Sequence, residues 1–426
     1  MRISDLRSDG SATRPRVAAT VTWEERERPP LDLYFETDER FAADLSCDPH
    51  GFLVACVPPA LRHGERRIAI DEDICPELHD GLQTAMQLLQ HGSGRTAPPL
   101  CIEARSTTRA SAKRAEARAG AFLSGGVDSL TTLRLNRLAY APDHPRSIAD
   151  CLFVQGFDID VDDTAGFELA LSSLAEVVRD TGLTLVPVRS NVRDLERDTA
   201  FWMRESHASA LAGVAHAFSN RFRSVTIAST FNLKRLPTLY GSHPLLDPCY
   251  GSSALRVLHD GIRYTRLDKV RIVAGWDVGL QNLRVCTRRN HPGLLNCGRC
   301  EKCTRTMLEL MVLGKLEQCP AFEANDVELS AISRITVMSP AHAFTLEDVI
   351  EPLRTVGRAD LADAVDRKVR SYRAWNSGRG WRGAIARLDR RGSSGVVRSI
   401  KAVDGTRDWG KAARRIVGAR EPRGSI

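Results

Sequence analysis

The chain has 426 residues, 42% of them hydrophobic and 27% charged, a composition typical of a folded protein with two or three domains. It has no apolar run of about 18 residues, which excludes a membrane-spanning helix, and its polar N-terminus does not resemble a signal peptide, so we expect a cytoplasmic protein. The net charge of +7 is concentrated at one end, because residues 367–426 hold 17 Lys/Arg and 4 Asp/Glu, whereas the rest of the chain holds 43 and 49.

The first 118 residues predict a smaller α+β domain. Four stretches with β-rich patterns predict strands, and one stretch predicts a helix. The strands lie at 17–23, 32–36, 51–56 and 66–70, and the helix at 77–90. No residues with catalytic or metal-binding spacing occur in this part, so its role stays open between a scaffold and a domain that controls substrate access.

Residues 119–320 alternate between strand and helix patterns. Strands are predicted at 121–123, 151–155, 183–188, 224–228 and 283–286, with helices at 163–180 and 201–218. Strands separated by helices of this length predict an α/β fold with a doubly wound parallel sheet. Ligands bind such sheets beyond the carboxyl ends of the strands, so the residues that follow each strand are candidates for function.

The first of these strands leads into Ser-Gly-Gly-Val-Asp-Ser at 124–129. Gly125 and Gly126 allow positive φ and a close approach of the backbone to a ligand, and the helix N-terminus that follows favours an anion. Ser124 and Ser129 add hydroxyl donors, and Asp128 can orient the loop or bind Mg²⁺. An ordinary strand-to-helix turn with a serine cap is the alternative interpretation.

This motif resembles the signature of the PP-loop ATP pyrophosphatases, the HUP-like superfamily of GMP synthetase, asparagine synthetase and NAD synthetase. The resemblance implies that ATP, with Mg²⁺, is split into AMP and pyrophosphate while a substrate is adenylated. Asp128 is then expected to be catalytic, and adenine is expected beside the second strand. The expected ATP-binding residues are Ser124, Gly125, Gly126, Val127, Asp128, Ser129, Phe153 and Val154.

A long loop follows the fourth strand, at the edge of the sheet where ligands are expected. His243 and Asp247 in this loop are candidates for contact with the substrate. Basic residues of the loop and of the next predicted helix are candidates for stabilising phosphate charge during catalysis. A structural histidine and a solvated basic helix face are the competing interpretations. The candidate catalytic cations are Lys234, Arg235, Arg266 and Lys269.

Four cysteines then follow with the spacing of a metal site. They are Cys286, Cys297, Cys300 and Cys303, with a glycine inside the first two-residue gap. Four thiolates suit tetrahedral Zn²⁺ and leave no coordination position for water, so the spacing predicts a structural zinc site. An iron–sulfur cluster is the competing interpretation.

The two motifs, in this order, resemble the 7-cyano-7-deazaguanine synthase family across about residues 119–310. That family adenylates a carboxylate on a deazapurine and uses ammonia to reach a nitrile. The present chain departs from the family in the 118 residues that precede the glycine motif and in the loop Gly-Ser-His-Pro-Leu-Leu-Asp-Pro-Cys-Tyr-Gly-Ser-Ser at 241–253. The resemblance therefore implies ATP and zinc, and leaves the substrate open.

Beyond residue 320 the pattern predicts a helical segment over 321–378, with helices at 345–356 and 358–375. Residues 379–426 are rich in Arg, Gly and Ser and predict a disordered basic tail. Such a tail could contact nucleic acid or an anionic membrane, although tails of this kind are more often only solvated. The sequence is compatible with a homodimer and does not determine the oligomeric state.

Taken together, the motifs predict an ATP-dependent carbon–nitrogen ligase that adenylates a small-molecule carboxylate and transfers it to ammonia or an amine. A PP-loop sulfurtransferase is an alternative, with a tRNA base as one acceptor. Sulfur transfer requires a nucleophilic thiol near the α-phosphate, and Cys249 in the long loop is the candidate. A non-enzymatic module that binds zinc and a nucleotide is the third interpretation.

Overall fold

The computed structural model describes residues 1–11, 13–95, 98–107, 117–238, 240–286, 293–337 and 339–376. Within these residues, ten strands form one mixed sheet, and six of its nine neighbouring pairs are parallel. The strands are β1 (Arg2–Ser11), β2 (Arg14–Thr22), β3 (Leu31–Thr37), β4 (Arg67–Asp73), β5 (Cys101–Ser106), β6 (Arg118–Phe122), β7 (Ile148–Gln155), β8 (Thr184–Ser190), β9 (Phe222–Ala228) and β10 (Arg256–Asp260). Their order across the sheet is β10-β9-β6-β7-β8-β3-β2-β1-β4-β5.

Helices cover both faces of this sheet. No helix in the described ranges is both long enough and apolar enough to cross a membrane. The helices are α1 (Pro49–His63), α2 (Pro76–Ser93), α3 (Val127–Ala139), α4 (Thr164–Thr181), α5 (Thr199–Phe201), α6 (His207–Ala217), α7 (Arg266–Ala274), α8 (Asp277–Gln281), α9 (Glu301–Val312), α10 (Leu329–Ser333), α11 (Pro340–Glu347), α12 (Ile350–Thr355) and α13 (Ala359–Asn376).

The five strands β6 to β10 are all parallel and confirm the α/β class. Numbered along the chain from β6, they lie in the order 3-2-1-4-5 across the sheet. Along β7, Leu152 and Val154 belong to one hydrophobic core, and Cys151 and Phe153 belong to another on the opposite face. The strand order reverses beside β6, and the crevice at such a reversal is where open α/β sheets bind ligands.

The sheet continues across the boundary that the sequence predicts at residue 118. Strand β3 pairs with β8 in antiparallel fashion, and the Thr37 hydroxyl donates to the Pro187 carbonyl at 2.6 Å. One hydrophobic core contains Phe35 and Phe52 from the first part of the chain together with Val186 from β8. The first 118 residues therefore share a sheet and a core with the residues that follow.

The strand predicted at 51–56 is part of helix α1. Residues 49–61 are all buried, so their apolar pattern has no period that distinguishes a helix from a strand. The deciding signals are local, because the Asp48 carboxylate accepts from the N–H of His50 at 3.0 Å and Pro49 occupies the first helical turn. A β-carbon on Gly51 would lie 3.0 Å from the Gly213 carbonyl oxygen, so α1 and α6 cross with their backbones in close approach.

The fifth parallel strand is β10, and the stretch 283–286 that was predicted for this position has no strand conformation. The N–H groups of Val285 and Cys286 donate to the side chain of Asn296, at 2.8 and 3.1 Å. The other predicted strands are present. The helix predicted at 201–218 is interrupted by a π-helical turn over Trp202–Ser206, the one predicted at 345–356 is divided between α11 and α12, and the predicted tail at 379–426 lies outside the described residues.

Candidate nucleotide site and metal centre

Residues 124–129, called the glycine loop below, connect the carboxyl end of β6 to α3. Gly125 has φ of +77°, a conformation that residues with a β-carbon rarely adopt. A β-carbon there would also lie 3.3 Å from side-chain carbons of Arg284 and Leu174. Gly126 is the N-cap of α3. The loop therefore has little free space on its protein side and needs glycine at its turn.

The two serine hydroxyls of the loop brace its backbone. The Ser129 hydroxyl accepts from the Ser124 N–H at 3.2 Å and donates to the Gly126 carbonyl at 3.1 Å. The first backbone bond of the helix runs from Leu130 to the Gly126 carbonyl at 3.0 Å, so the N–H groups of residues 127–129 precede the hydrogen bonds of the helix itself. Free N–H groups and the helix dipole at this position favour a bound anion.

The glycine loop opens into a cavity of about 460 Å³. The carboxyl ends of β6, β7 and β9 form its base, and residues of the cysteine-rich segment, α9 and α11 form one side. Phe153 and Val154, the residues predicted beside adenine, line this cavity together with Asp128. The glycine loop and the second strand, which the sequence predicted to bind one ligand, therefore line one cavity.

Four cationic side chains line the same cavity, opposite two carboxylates. They are Arg266, Arg284, Lys302 and Arg305, and the carboxylates are Asp128 and Asp158. Arg266 is paired with Glu309 at 3.2 Å, and Arg305 lies 3.4 Å from Glu301. The lining side chains thus carry more positive than negative charge, and Glu309 and Glu301 behind the lining offset part of that excess.

Of the four cations that line the cavity, Arg284 contacts the backbone of the glycine loop directly. Its guanidinium donates to the Ser124 carbonyl at 3.1 Å, and its backbone N–H donates to the Gly125 carbonyl at 2.8 Å. Burial lowers the pKa of this guanidinium, and within the described parts of the chain no carboxylate lies within ion-pair distance of it. An anionic ligand in the cavity would compensate this buried charge. Sequence reasoning missed Arg284 because the stretch was interpreted as a strand.

Aromatic side chains form the other side of the cavity. Trp202 packs edge-on against Phe157 with ring centroids 5.0 Å apart, and Phe231 packs against Tyr240 at 4.8 Å. Trp202 begins the π-helical turn, a feature that occurs frequently at functional sites. Burial raises the pKa of Tyr240 to about 12, so its phenol stays protonated at neutral pH. This side of the cavity can pack against an apolar or planar group.

Lys269 does not line the cavity, although the sequence predicted it as a catalytic cation. Its ammonium is buried, lies 2.9 Å from the Asp128 carboxylate and also donates to the Ser229 carbonyl. Arg266 and Lys269 come from the same helix, but only Arg266 reaches the cavity. Lys269 therefore supports Asp128 from the protein interior.

Lys234 and Arg235 also lie outside the cavity lining. Lys234 is exposed to solvent. The guanidinium of Arg235 makes a bidentate pair with Asp348 at 2.5 and 2.7 Å and donates to the Phe344 carbonyl at 3.1 Å. These contacts attach the loop after β9 to α11 and the segment after it, so Arg235 has a tethering position.

The predicted substrate residues His243 and Asp247 occupy a separate, partly buried network. The Asp247 carboxylate is buried, lies 2.7 Å from the ring nitrogen Nδ1 of His259 and accepts from the Ser242 hydroxyl at 2.7 Å. It also accepts from the N–H of His243 at 2.9 Å. Neither predicted residue lines the cavity, and Asp247 stabilises the conformation of its own loop.

Cys249, the candidate for sulfur transfer, lies away from the cavity lining as well. Its thiol donates to the Leu245 carbonyl at 3.2 Å, and its carbonyl packs closely against Gly81 of α2. Burial raises the pKa of this thiol, and Asp247 and Asp80 act in the same direction. The environment of Cys249 is therefore unfavourable for a nucleophilic thiolate.

The four predicted cysteines do come together. Their sulfur atoms all lie within 4.8 Å of one another, with pairs at 3.4, 3.8 and 3.9 Å. Zinc–sulfur bonds of about 2.3 Å place the corners of a tetrahedron about 3.8 Å apart, so this spacing fits a metal ion of that kind. Hydrogen bonding to Cys286 raises the pKa of Cys300 to about 11, so a metal that binds here would have to displace protons from these thiols.

Two further residues shape this cluster. Gly298, inside the first cysteine pair, has φ of +64° and lets the N–H of Cys300 donate to the Cys297 sulfur at 3.3 Å. The Asn296 side chain accepts the two N–H groups of 285–286 and donates to the carbonyls of Leu283 and Ala321, at 2.7 and 3.0 Å. The glycine was visible in the spacing, whereas nothing in the sequence distinguished Asn296.

His342 of α11 is another residue that sequence reasoning missed. It lines the cavity, and its ring nitrogen Nε2 lies 2.7 Å from the Glu301 carboxylate. Burial raises the pKa of Glu301, but the contacts with His342 and Arg305 outweigh it and lower this pKa to about 2.

Comparisons with models of protein families, with curated proteins and with solved structures gave no match. The arrangement brings a loop with free N–H groups, several cations and a histidine–carboxylate pair to one cavity, a combination that could bind an anion and transfer a proton.

Proposed function

We propose that the protein is an adenylating enzyme that cleaves ATP to AMP and pyrophosphate, activates a substrate carboxylate as its acyl adenylate, and then joins the acyl group to ammonia or an amine. The observation that carries this proposal is the position of the glycine loop. It lies at the reversal of strand order, at the N-terminus of α3, and opens into a cavity with four lining cations. The resemblance of its sequence to the PP-loop signature supports cleavage between the α and β phosphates.

In this proposal the N–H groups at the start of α3 and the guanidinium of Arg284 bind the phosphates, and Lys302 adds charge at the exposed side. Asp128 is the ligand proposed for Mg²⁺. Its carboxylate is partly exposed and lines the cavity, and the buried ammonium of Lys269 contacts it from the protein interior. These cations are held in place by the fold before the reaction begins, so they can stabilise the negative charge that develops on the departing pyrophosphate.

Adenine is proposed to lie against Phe153 and Val154, and the acceptor against the aromatic side of the cavity. A cavity of about 460 Å³ is within the range of small-molecule sites. His342, held by Glu301, is placed to take a proton from the attacking nitrogen as the new carbon–nitrogen bond forms and AMP leaves.

The four cysteines are proposed to hold a zinc ion with a structural role. Four sulfur ligands leave no coordination position for substrate, and three of the four cysteines are buried. When bound, zinc would fix the cysteine-rich segment that supplies Arg284 and Lys302 to the cavity. Elemental analysis should find one zinc per chain, and iron with sulfide would replace this part of the proposal by an iron–sulfur cluster.

Sulfur transfer and a non-enzymatic nucleotide module were the alternatives that the sequence left open. Among the described residues, no cysteine is positioned as the nucleophile for sulfur transfer. Cys249 lies outside the cavity, and the one described cysteine that lines the cavity, Cys286, belongs to the metal cluster. A cavity with both phosphate-binding cations and a histidine–carboxylate pair favours an enzyme over a module that only binds.

The proposal is tested by product analysis with ATP, MgCl₂, ammonium chloride and a panel of carboxylic acids. We expect AMP and pyrophosphate, with pyrophosphate release faster for those acids that the enzyme accepts. Release of ADP and phosphate would contradict the proposal.

Two surface lysines give a matched comparison. Lys302→Ala should weaken ATP binding about tenfold, whereas Lys234→Ala should leave it unchanged, because only Lys302 lines the cavity. Calorimetric titration with ATP and Mg²⁺ measures both. Equal effects of the two substitutions would mean that the phosphates do not bind on the side formed by α9.

A further inference from the structure

Residues 283–286, called the strap below, connect the glycine loop to the cysteine cluster. At one end of the strap, Arg284 binds two successive carbonyls of the loop, those of Ser124 and Gly125, at 3.1 and 2.8 Å. At the other end, the Cys286 sulfur lies 3.9 Å from that of Cys300 in the cluster. Only Val285 separates the residue that holds the loop from the residue that would hold the metal.

Asn296 fixes the strap from the position just before the first cysteine pair, Cys297 and Cys300. Its side-chain oxygen accepts from the N–H groups of Val285 and Cys286, and its nitrogen donates to the Leu283 carbonyl at 2.7 Å. Asn296 directly precedes Cys297, so the contacts that hold the strap and the ligands of the metal belong to one short piece of chain. Its side chain is buried, so these bonds are shielded from competition by water.

The glycine loop packs closely against the strap. A β-carbon on Gly125 would lie 3.3 Å from the β-carbon of Arg284, which shows how tightly the two backbones pack. We therefore expect a shift of Cys286 toward or away from the cluster to shift the carbonyls of the glycine loop as well. The strap also lines the cavity through Arg284, Val285 and Cys286.

We propose that metal binding at the four cysteines and nucleotide binding at the glycine loop are thermodynamically coupled through the strap, with Arg284 and Asn296 as positioning residues. The metal and the nucleotide each favour the same arrangement of residues 283–286. When one of them is bound, the other therefore loses less free energy to ordering of these residues. Coupling of this kind is reciprocal, and the factor by which zinc tightens the nucleotide equals the factor by which the nucleotide tightens zinc. The inference rests on the proposed function only in naming ATP as the ligand of the loop.

The test measures zinc affinity of the full-length protein by competition with a coloured chelator, with and without α,β-methylene-ATP and Mg²⁺. This analogue cannot be cleaved at the proposed bond, so the measurement does not depend on activity. We expect the analogue to tighten zinc about tenfold, and zinc to tighten the analogue by the same factor in calorimetric titration. Adenosine, which lacks phosphates for the glycine loop, should have no such effect, and protein-free samples correct for zinc bound by the nucleotide.

A variant shows whether the strap carries the coupling. Asn296→Ala should retain zinc, because all four cysteines remain, but its coupling factor should fall toward one. Asn220→Ala is the matched control, since the Asn220 side chain also bridges two carbonyls, at 3.2 and 3.1 Å, but far from the strap in the fold. If the Asn296 variant kept the full coupling factor, the coupling between metal and nucleotide would not depend on the strap, and this part of the inference would be overturned.

The outcomes separate this inference from the proposed function. An analogue that binds without changing zinc affinity overturns the coupling while the adenylating function stands. An analogue that does not bind at all contradicts both. The comparison in the wild-type protein needs no substitution, so the coupling is decided even if Asn296→Ala does not fold.

Discussion

At the scale of single residues, Asp128 has two roles, and the sequence indicated only the one in the proposed chemistry. Its carboxylate faces the cavity, where we propose that it binds Mg²⁺, and it also neutralises the buried ammonium of Lys269. A buried cation that loses its partner costs far more free energy than an exposed one. The residue most important for the proposed chemistry is therefore also important for stability.

This dual role predicts the outcome of a double substitution. Asp128→Ala should abolish ATP cleavage and also lower the free energy of unfolding by about 3 kcal/mol, because Lys269 is then left with only the Ser229 carbonyl. Adding Lys269→Met should restore most of the stability without restoring cleavage. Urea unfolding and AMP production measure the two effects. A double variant as unstable as Asp128→Ala would show that the ion pair contributes little.

His342 is predicted to act only in the transfer to nitrogen. His342→Ala should reduce the acceleration by ammonium chloride about 100-fold near neutral pH. Hydroxylamine, a weaker base that stays unprotonated at this pH, should still consume the acyl adenylate in the variant. His243→Ala is the control, because that histidine lies outside the cavity. Equal loss with both nucleophiles would assign His342 a structural role.

At the scale of elements, the short turn Cys297–Cys300 determines the geometry of the metal cluster. Gly298 takes positive φ there, and two backbone N–H groups donate to the Cys297 sulfur as a result. The same turn leads directly into α9, which carries Lys302 and Arg305 to the cavity. A local backbone requirement therefore influences both the metal centre and the side of the nucleotide site.

Substitution of this glycine should separate backbone strain from loss of a ligand. Gly298→Ala places a β-carbon at φ of +64°, so we expect a loss of about 1 kcal/mol in stability and weaker zinc binding. Gly275→Ala is the matched control, since its φ of −87° suits any residue and its nearest neighbour would be 3.5 Å away. Thermal unfolding and zinc competition measure the pair. Equal behaviour of both variants would contradict the strain argument.

At the scale of the whole molecule, one sheet joins the two parts of the chain that the sequence predicts as domains. The antiparallel pairing of β3 with β8 closes the edge of the parallel strands, and α1 packs on α6 through Gly51 and Gly213. Removing the first part would expose the edge of β8 and one face of its hydrophobic core.

The fragment 119–426 should therefore be insoluble or aggregated when produced alone. Co-production of fragment 1–118 should recover soluble protein, because pairing of β3 with β8 re-covers the exposed edge and core. Size-exclusion chromatography and circular dichroism distinguish the cases. A monomeric, cooperatively unfolding fragment 119–426 would show that the second part is an independent domain.

The sequence by itself determined the features that depend on neighbours along the chain. Glycines that permit a tight turn, the helix start after them and the spacing of the four cysteines are constraints within about ten residues. The glycine loop and the metal cluster were predicted for this reason, and the alternation of strands and helices indicated the α/β class. Helix α1 shows the limit, because a fully buried run has no polar face that would reveal its period.

Only the tertiary structure decided which charged residues reach the cavity. The sequence pointed to Lys234 and Lys269 and not to Lys302. In the structure Lys234 is exposed outside the cavity, Lys269 is buried beside Asp128, and Lys302 lines the cavity. The positions of Arg284 and His342 result from segments that meet the glycine loop across about 160 and 215 residues of chain. Contacts over such separations follow from the closure of the sheet and the packing of helices on it, which no local pattern encodes.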